Sequence, residues 1–230
     1  MSDGWPAHRW VSAADPTACV AMAIGLLGRK VGMTQVFDEK GKAVPVTIIQ
    51  AGPCPVVQKK TAVRDGYEAI QVGFETQPNK NRVTRPLQGH FDKGQVAYQR
   101  FLREIRLRGG EGEYQIGQVL TVSLFAEGDR VRIAGVTKGR GFAGGVKRWK
   151  YRGGPATHGS MFHKAPGSIG ASSYPSRVFR GHHLPGHMGA VRMTVSGLRV
   201  VSVDPDNNLV LIEGAVPGPS GGVVTIQKGK

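Results

Sequence analysis

The feature that most constrains this chain is a block of 74 residues, from Arg130 to Val203, that contains neither Asp nor Glu. The block holds 13 of the 31 Lys and Arg residues and five of the seven His residues. The other residues carry 18 basic and 16 acidic side chains, so nearly all of the net charge of +15 lies in the block. Charges of one sign repel one another in a compact domain, and a solvated face usually mixes both signs. We therefore predict that a polyanion neutralises the block, in preference to a simple solvated basic face.

Strand patterns lie on both sides of this block. Residues 24–37 and 44–49 predict one β-hairpin, and residues 56–60 and 68–74 predict a second around the Asp65-Gly66 turn. Helices are expected only near 91–98 and within 141–149. Further strands are predicted at 101–107, 119–125, 130–136, 195–203, 209–213 and 223–227. Short strands separated by turn residues at close spacing indicate a mainly β chain, built as an antiparallel barrel or sandwich.

The chain is expected to divide into a globular part and an excursion. Residues 138–193 are rich in Gly, Pro, His and Arg but lack apolar periodicity, which does not fit the interior of a compact domain. We predict that residues 22–137 and 194–230 form the β domain and that 138–193 leave it as an irregular basic extension. Residues 1–21 show no sustained period and no signal-peptide pattern, and we interpret them as a disordered extension or a start-site artefact.

Composition excludes two classes of protein. No stretch reaches the ~18 consecutive apolar residues of a membrane span. Two cysteines, Cys19 and Cys54, cannot build a disulfide framework, so reduced thiols in a reducing compartment are expected.

A glycine motif at residues 139–144 matches G-x-G-x-x-G and follows a predicted strand. A dinucleotide site would also need an acidic residue about 20 positions later for the ribose, and none occurs before Asp204. We interpret the motif as a flexible turn that lets the backbone approach a phosphate.

Histidines in the block could in principle serve a metal site or a hydrolase. Zinc sites normally add Cys or carboxylate partners to residues such as His182, His183 and His187, and a Ser-His pair needs a carboxylate to orient the base. The block supplies none of these partners, although an acid from elsewhere stays possible. We predict no metal, no cofactor and no catalytic residue; an enzyme that uses the histidines stays the alternative.

The strongest local pattern is 147–152, where four cations bracket Trp149 and Tyr151. Lys and Arg bind phosphates, while aromatic faces stack on bases. For Trp149 alone, packing in a core at the end of a basic helix is the competing interpretation. RNA is favoured over duplex DNA because no helix-turn-helix, zinc-finger or basic-zipper pattern is present.

We predict RNA contacts by the cationic, aromatic and imidazole side chains of the extension. These residues are Lys138, Arg140, Lys147, Arg148, Trp149, Lys150, Arg152, His158, His163, Lys164, Arg177, Arg180, His182, His183, His187 and Arg192.

Nine short stretches also carry a family resemblance. They lie, in order, at 25–34, 65–67, 69–73, 138–144, 146–149, 156–159, 166–170, 187–189 and 214–218. Together they cover roughly residues 23–228, and they resemble the bacterial form of the ribosomal protein L-three family of the large subunit. Residues 1–21 have no counterpart in the usual family pattern.

The resemblance implies a translation-factor-like β-barrel whose long extension enters the large-subunit rRNA and approaches the peptidyl transferase centre. It also implies early rRNA binding that nucleates assembly, neighbouring ribosomal proteins as partners, a cytoplasmic location, and no enzymatic role or small-molecule substrate. The tip of the extension is then expected at Gly170, Ala171, Ser172, Ser173, Tyr174 and Pro175. Some bacterial members carry a methylated glutamine there, which this chain lacks.

One expectation concerns the free protein, and one further alternative concerns the function. Residues 130–203 are hypothesised to be poorly ordered in the free protein and ordered by RNA. A free RNA chaperone or translation regulator would share the same charge pattern, and is the second alternative.

Overall fold

The computed structural model describes residues 25–107 and 114–229, so the prediction for residues 1–21 lies outside the described part. The strands are β1 Gly25–Phe37, β2 Ala43–Ala51, β3 Cys54–Lys60, β4 Ala69–Thr76, β5 Gln99–Arg106, β6 Val119–Leu120, β7 Arg130–Val136, β8 Phe142–Ala143, β9 Gly186–His187, β10 Arg192–Asp204, β11 Leu209–Glu213 and β12 Val223–Lys228. The helices are α1 Ala62–Asp65, α2 Arg85–Gly94 and α3 Gly145–Trp149. Single 3₁₀ turns cover Lys80–Arg82 and Val122–Leu124.

Six strands close into an antiparallel barrel in the order β1-β12-β7-β10-β11-β2. Alternate residues point inward, so that Ile133 on β7 lies opposite Ile226 on β12, and both are fully buried. Val210 and Ile212 repeat the same spacing on β11. The predicted mainly β fold is therefore confirmed, and of the two architectures left open by the strand pattern, the barrel is the one observed.

A second, four-stranded sheet has the order β5-β4-β3-β6. The predicted pairing of the strands around Asp65-Gly66 is present as β3 against β4, but the connection contains the short helix α1. Gly66 ends this helix with a left-handed φ of 79°, and its N–H donates to the carbonyl of Ala62. The predicted strand pairing is confirmed, and the connecting segment is long enough to form a helical turn before Gly66.

Two other local predictions need correction. The strand predicted at 119–125 is only β6 followed by a 3₁₀ turn, which places Val122 and Phe125 on the same buried side. The helix predicted near 91–98 is α2, which begins earlier, after Thr84 and with Pro86 in its first turn. It ends before Gln95, whose φ of 51° is left-handed.

One hydrophobic core serves both sheets. Leu26 and Ile49 of the barrel share it with Val56, Ile70 and Ile105 of the second sheet. This burial supplies the main stabilising free energy of the fold, because removal of apolar surface from water is the dominant favourable contribution. The described ranges contain no helix that is long and apolar enough to cross a membrane.

Cys54 lies in this shared core as a free thiol. Burial raises the pKa of Cys54 to about 11, although the carbonyl of Leu27 accepts a hydrogen bond from its Sγ. The thiol therefore stays neutral at physiological pH and behaves as a small apolar side chain. Cys19 lies outside the described residues.

The acid-free block is divided between the barrel and the excursion. Its two ends are barrel strands, since β7 pairs with the first half of β10 and Val136 lies opposite Arg192. The hypothesis that 130–203 are ordered by RNA stays a prediction, and both ends of this range contribute strands to the closed barrel. Only the residues between Val136 and Arg192 lie outside it.

Candidate nucleic-acid interface

The extension begins as a continuation of the β7–β10 ladder. The N–H of Thr137 donates to the carbonyl of Val191 (2.9 Å), and the N–H of Arg140 donates to the carbonyl of Met188 (2.8 Å). Strand β8 then pairs with β9. We define residues 137–151 as the outgoing limb, 183–191 as the returning limb and 152–182 as the outer loop. The two limbs together form the root of the extension.

The limbs approach each other closely at Gly189. Its φ is 76°, and a Cβ at this position would collide with the carbonyl oxygen of Lys138. It would also lie 3.0 Å from the backbone nitrogen of Arg140. Only glycine combines this left-handed backbone with such close contact between two chain segments.

Side chains on α3 and just after it, in the outgoing limb, contact the returning limb. The carbonyl of Leu184 accepts hydrogen bonds from Arg148 Nη1 (2.8 Å) and Trp149 Nε1 (2.9 Å). The Tyr151 hydroxyl donates to the carbonyl of His183 (2.8 Å). The His183 ring stacks on Trp149 with centroids 3.9 Å apart and planes 5° apart, and the Arg148 guanidinium lies 4.9 Å from the Trp149 ring centroid.

The outer loop has few internal contacts. The N–H of Gly154 donates to the carbonyl of His163 (2.8 Å), and the Arg177 guanidinium lies 5.3 Å from the ring centroid of Phe179. At the predicted tip, the Ser176 hydroxyl donates to the carbonyl of Ser173, and the Tyr174 side chain is 89% exposed. No fully buried apolar side chain holds this loop together within the described residues.

The predicted RNA-contacting side chains share two properties. All of them except Arg148 are exposed, and Arg148 is half-buried. The ion pairs found among the described residues all lie in the barrel and the second sheet, and none includes a cation of the extension. The positive charge of the extension is therefore displayed without a carboxylate partner in the described part of the chain.

The structure addresses one of the two interpretations of Trp149, the one in which the ring packs in a core. Its side chain is 38% exposed and belongs to no hydrophobic core cluster, so it does not pack in a core. Its indole N–H and one ring face are engaged within the protein, by Leu184 and His183.

Apolar side chains exposed on the extension form a group that we did not single out from the sequence. Phe142 is 80% exposed and Met161 is 97% exposed, and Phe179 is also exposed. The sequence does mark this group, because large apolar residues occur there in a segment that lacks apolar periodicity. Such side chains offer faces for unpaired bases beside cations that bind phosphates.

Lys30 supports the barrel beside the root and was also missed. Its Nζ donates to the carbonyl of Val216 (2.8 Å), and the side chain is only 7% exposed. Burial lowers the pKa of Lys30, and the nearby charge of Lys138 lowers it further. A buried lysine that donates to backbone carbonyls ties β1 to the loop before β12.

The glycine motif and the histidines His183 and His187 lie in the root of the extension, where Phe142 is paired with His187. Residues 139–144 form an irregular segment that contains β8 and precedes α3, which has only five residues. His183 stacks on Trp149, while His187 lies in β9. In residues 25–107 and 114–229, no group of three or more His, Cys, Asp or Glu side chains is positioned to hold a metal ion.

Sequence comparison points to one family. The profile of the family described as Ribosomal protein L3 matches residues 112–208, which include the whole extension. A protein of Pelotomaculum thermopropionicum named Large ribosomal subunit protein uL3 is 53% identical over 207 residues, which cover 90% of this chain and 97% of that protein. The protein of the same name from Carboxydothermus hydrogenoformans is 50% identical over 207 residues, covering 90% and 98%. The chain therefore belongs to the ribosomal protein L3 family.

Proposed function

We propose that this protein is a structural constituent of the large ribosomal subunit and binds the large-subunit rRNA through its extension. The observation that carries the proposal is the extension itself, whose cations are exposed and lack carboxylate partners among the described residues. Each Lys or Arg that neutralises a phosphate releases condensed counterions, which favours binding at moderate salt. Both relatives named above are large-subunit ribosomal proteins by name, which supports the ribosome as the site of RNA binding.

The barrel and the extension have separate roles in this proposal. The barrel supplies a folded body with its own apolar core, on which neighbouring ribosomal proteins can pack. The extension supplies phosphate contacts through its cations and base contacts through exposed rings such as Phe142 and Phe179. The protein acts in the cytoplasm as part of the ribosome and needs no cofactor or small-molecule substrate.

The family resemblance supports two finer parts of the proposal. Binding to rRNA early in assembly helps nucleate the subunit, because a folded barrel with a basic extension can bring distant RNA segments together. The tip from Gly170 to Pro175 approaches the peptidyl transferase centre without performing the chemistry. The described tip, residues 170–175, carries hydroxyl, methyl and phenol groups and holds no His, Asp, Glu, Lys or Cys.

Salt-dependent binding to transcribed large-subunit rRNA tests the proposal. Replacing Arg152, Arg177 and Arg180 by Ala is expected to weaken binding and to reduce the slope of log K against log salt by roughly 0.7 to 0.9 for each phosphate that is no longer neutralised. Lys40→Ala with Lys42→Ala, at the turn between β1 and β2, is the matched control and should leave the slope unchanged. Equal slopes for the triple variant and the unaltered protein would contradict the proposal.

A second experiment separates a ribosomal constituent from a free RNA chaperone. The native protein is expected to co-sediment with large subunits after a high-salt wash. Recovery of the protein only in the soluble fraction would favour the chaperone or regulator.

A further inference from the structure

Three side chains join the two limbs of the extension root, in addition to the backbone ladder. Arg148, Trp149 and Tyr151 lie on or just after α3, and all donate to carbonyls of the returning limb more than 30 positions away. The acceptors are the carbonyls of two adjacent residues, His183 and Leu184. The sequence predicts that Arg148 and Trp149 contact RNA, whereas in the structure both side chains donate to a carbonyl of the protein itself.

The geometry limits what these groups can offer to RNA. The Arg148 Nη1 and the Trp149 indole N–H both donate to the Leu184 carbonyl, at 2.8 and 2.9 Å. If either group turned to a phosphate, its hydrogen bond to this carbonyl would be lost. The His183 ring covers one face of Trp149 in a nearly parallel stack. A base can therefore reach at most the opposite face of the indole.

We propose that Arg148, Trp149 and Tyr151 are positioning residues that clamp the limbs together before RNA binds. The clamp closes the root, so that only the outer loop remains to be ordered by RNA. Binding then costs less conformational entropy than it would if the whole extension were unstructured. This inference rests on the proposed function, since the clamp directs the outer loop towards the RNA.

Gly186 adds to the argument because the Arg148 guanidinium packs directly against its backbone. A Cβ on Gly186 would lie 2.5 Å from Arg148 Nη1, the same nitrogen that donates to Leu184. The returning limb therefore leaves space for the guanidinium only because this residue has no side chain. Gly186→Ala is expected to displace the guanidinium and to weaken its hydrogen bond to the Leu184 carbonyl, which removes one of the three clamp bonds.

Hydrogen exchange of the full RNA-free protein tests the clamp directly. The double variant Trp149→Phe, Tyr151→Phe keeps an aromatic ring at both positions but removes two hydrogen-bond donors. Exchange of the Arg140 and Met188 amides, which bond across the limbs, should rise by roughly tenfold or more, since each bond contributes about 1 kcal/mol. The amides of Ile133 and Ile226 in the barrel should be unaffected.

Lys147→Ala is the matched control, because Lys147 lies on the same helix and its exposed ammonium has no partner among the described residues. This variant should leave exchange in the root unchanged and reduce the salt slope of binding to transcribed rRNA. The Phe double variant should weaken that binding while leaving the slope unchanged, because it removes no cation.

The outcomes separate the two proposals. Unchanged exchange in both the Phe double variant and Gly186→Ala would overturn the clamp, and weakened RNA binding in that case would show that the rings contact RNA directly. Faster exchange in the root without any rRNA binding by the unaltered protein would leave the clamp standing and refute the proposed function.

Discussion

The barrel and the outer loop differ in the contacts that their side chains make. In the barrel, side chains such as Leu26, Ile133 and Ile226 are fully buried, and opposite charges pair, as between Lys228 and Asp129 (2.8 Å). In the outer loop, apolar side chains are exposed and its cations have no carboxylate partner among the described residues. Apolar burial thus specifies the barrel, and we propose that charge neutralisation by a partner completes the outer loop.

The largest expected contrast concerns the free energy of unfolding. Ile133→Ala removes a fully buried side chain from the barrel and should lower this free energy by about 2 to 5 kcal/mol. Phe179→Ala, in the exposed outer loop, should change it by less than about 0.5 kcal/mol. Denaturant unfolding of the RNA-free protein measures the free energy of unfolding of both variants. Similar decreases for the two variants would show that the outer loop is part of the cooperative fold.

Substitutions in the root, which joins the barrel to the outer loop, should have an effect of intermediate size. Gly189→Ala places a Cβ against the Lys138 carbonyl at a left-handed φ, and the backbone strain alone costs about 1 to 2 kcal/mol. Protease cleavage of the RNA-free protein should accelerate within both limbs while the barrel stays resistant. Gly141→Ala is the control, because its φ of 65° is also left-handed but its Cβ would meet open space. Equal cleavage in the two variants would argue against a closely packed root.

Much of the barrel was predictable because its signals are local. Alternating apolar residues identify β7, β11 and β12 almost to their observed ends, and the acid-free block locates the extension. The second sheet was not predicted as a separate unit, since strand partners depend on packing between residues distant in the chain. The start of α2 was missed, although Thr84 and Pro86 mark it.

The candidate site was predictable in composition but not in arrangement. The exposed cations follow from the sequence because an acid-free segment cannot neutralise itself. The contacts of Trp149 and Tyr151 could not be predicted from the sequence. Their acceptors are the backbone carbonyls of residues 183 and 184, and every residue type carries a backbone carbonyl. No pattern in the side chains marks such acceptors.

Hydrogen exchange with and without transcribed large-subunit rRNA most directly tests whether RNA completes one region of this chain. The predicted result is that amides of residues 152–182 exchange rapidly in the free protein and gain strong protection on binding, while amides of the barrel strands change little. Strong protection of 152–182 in the free protein, or binding without any gain of protection there, would contradict the division into a self-folding barrel and an RNA-ordered loop.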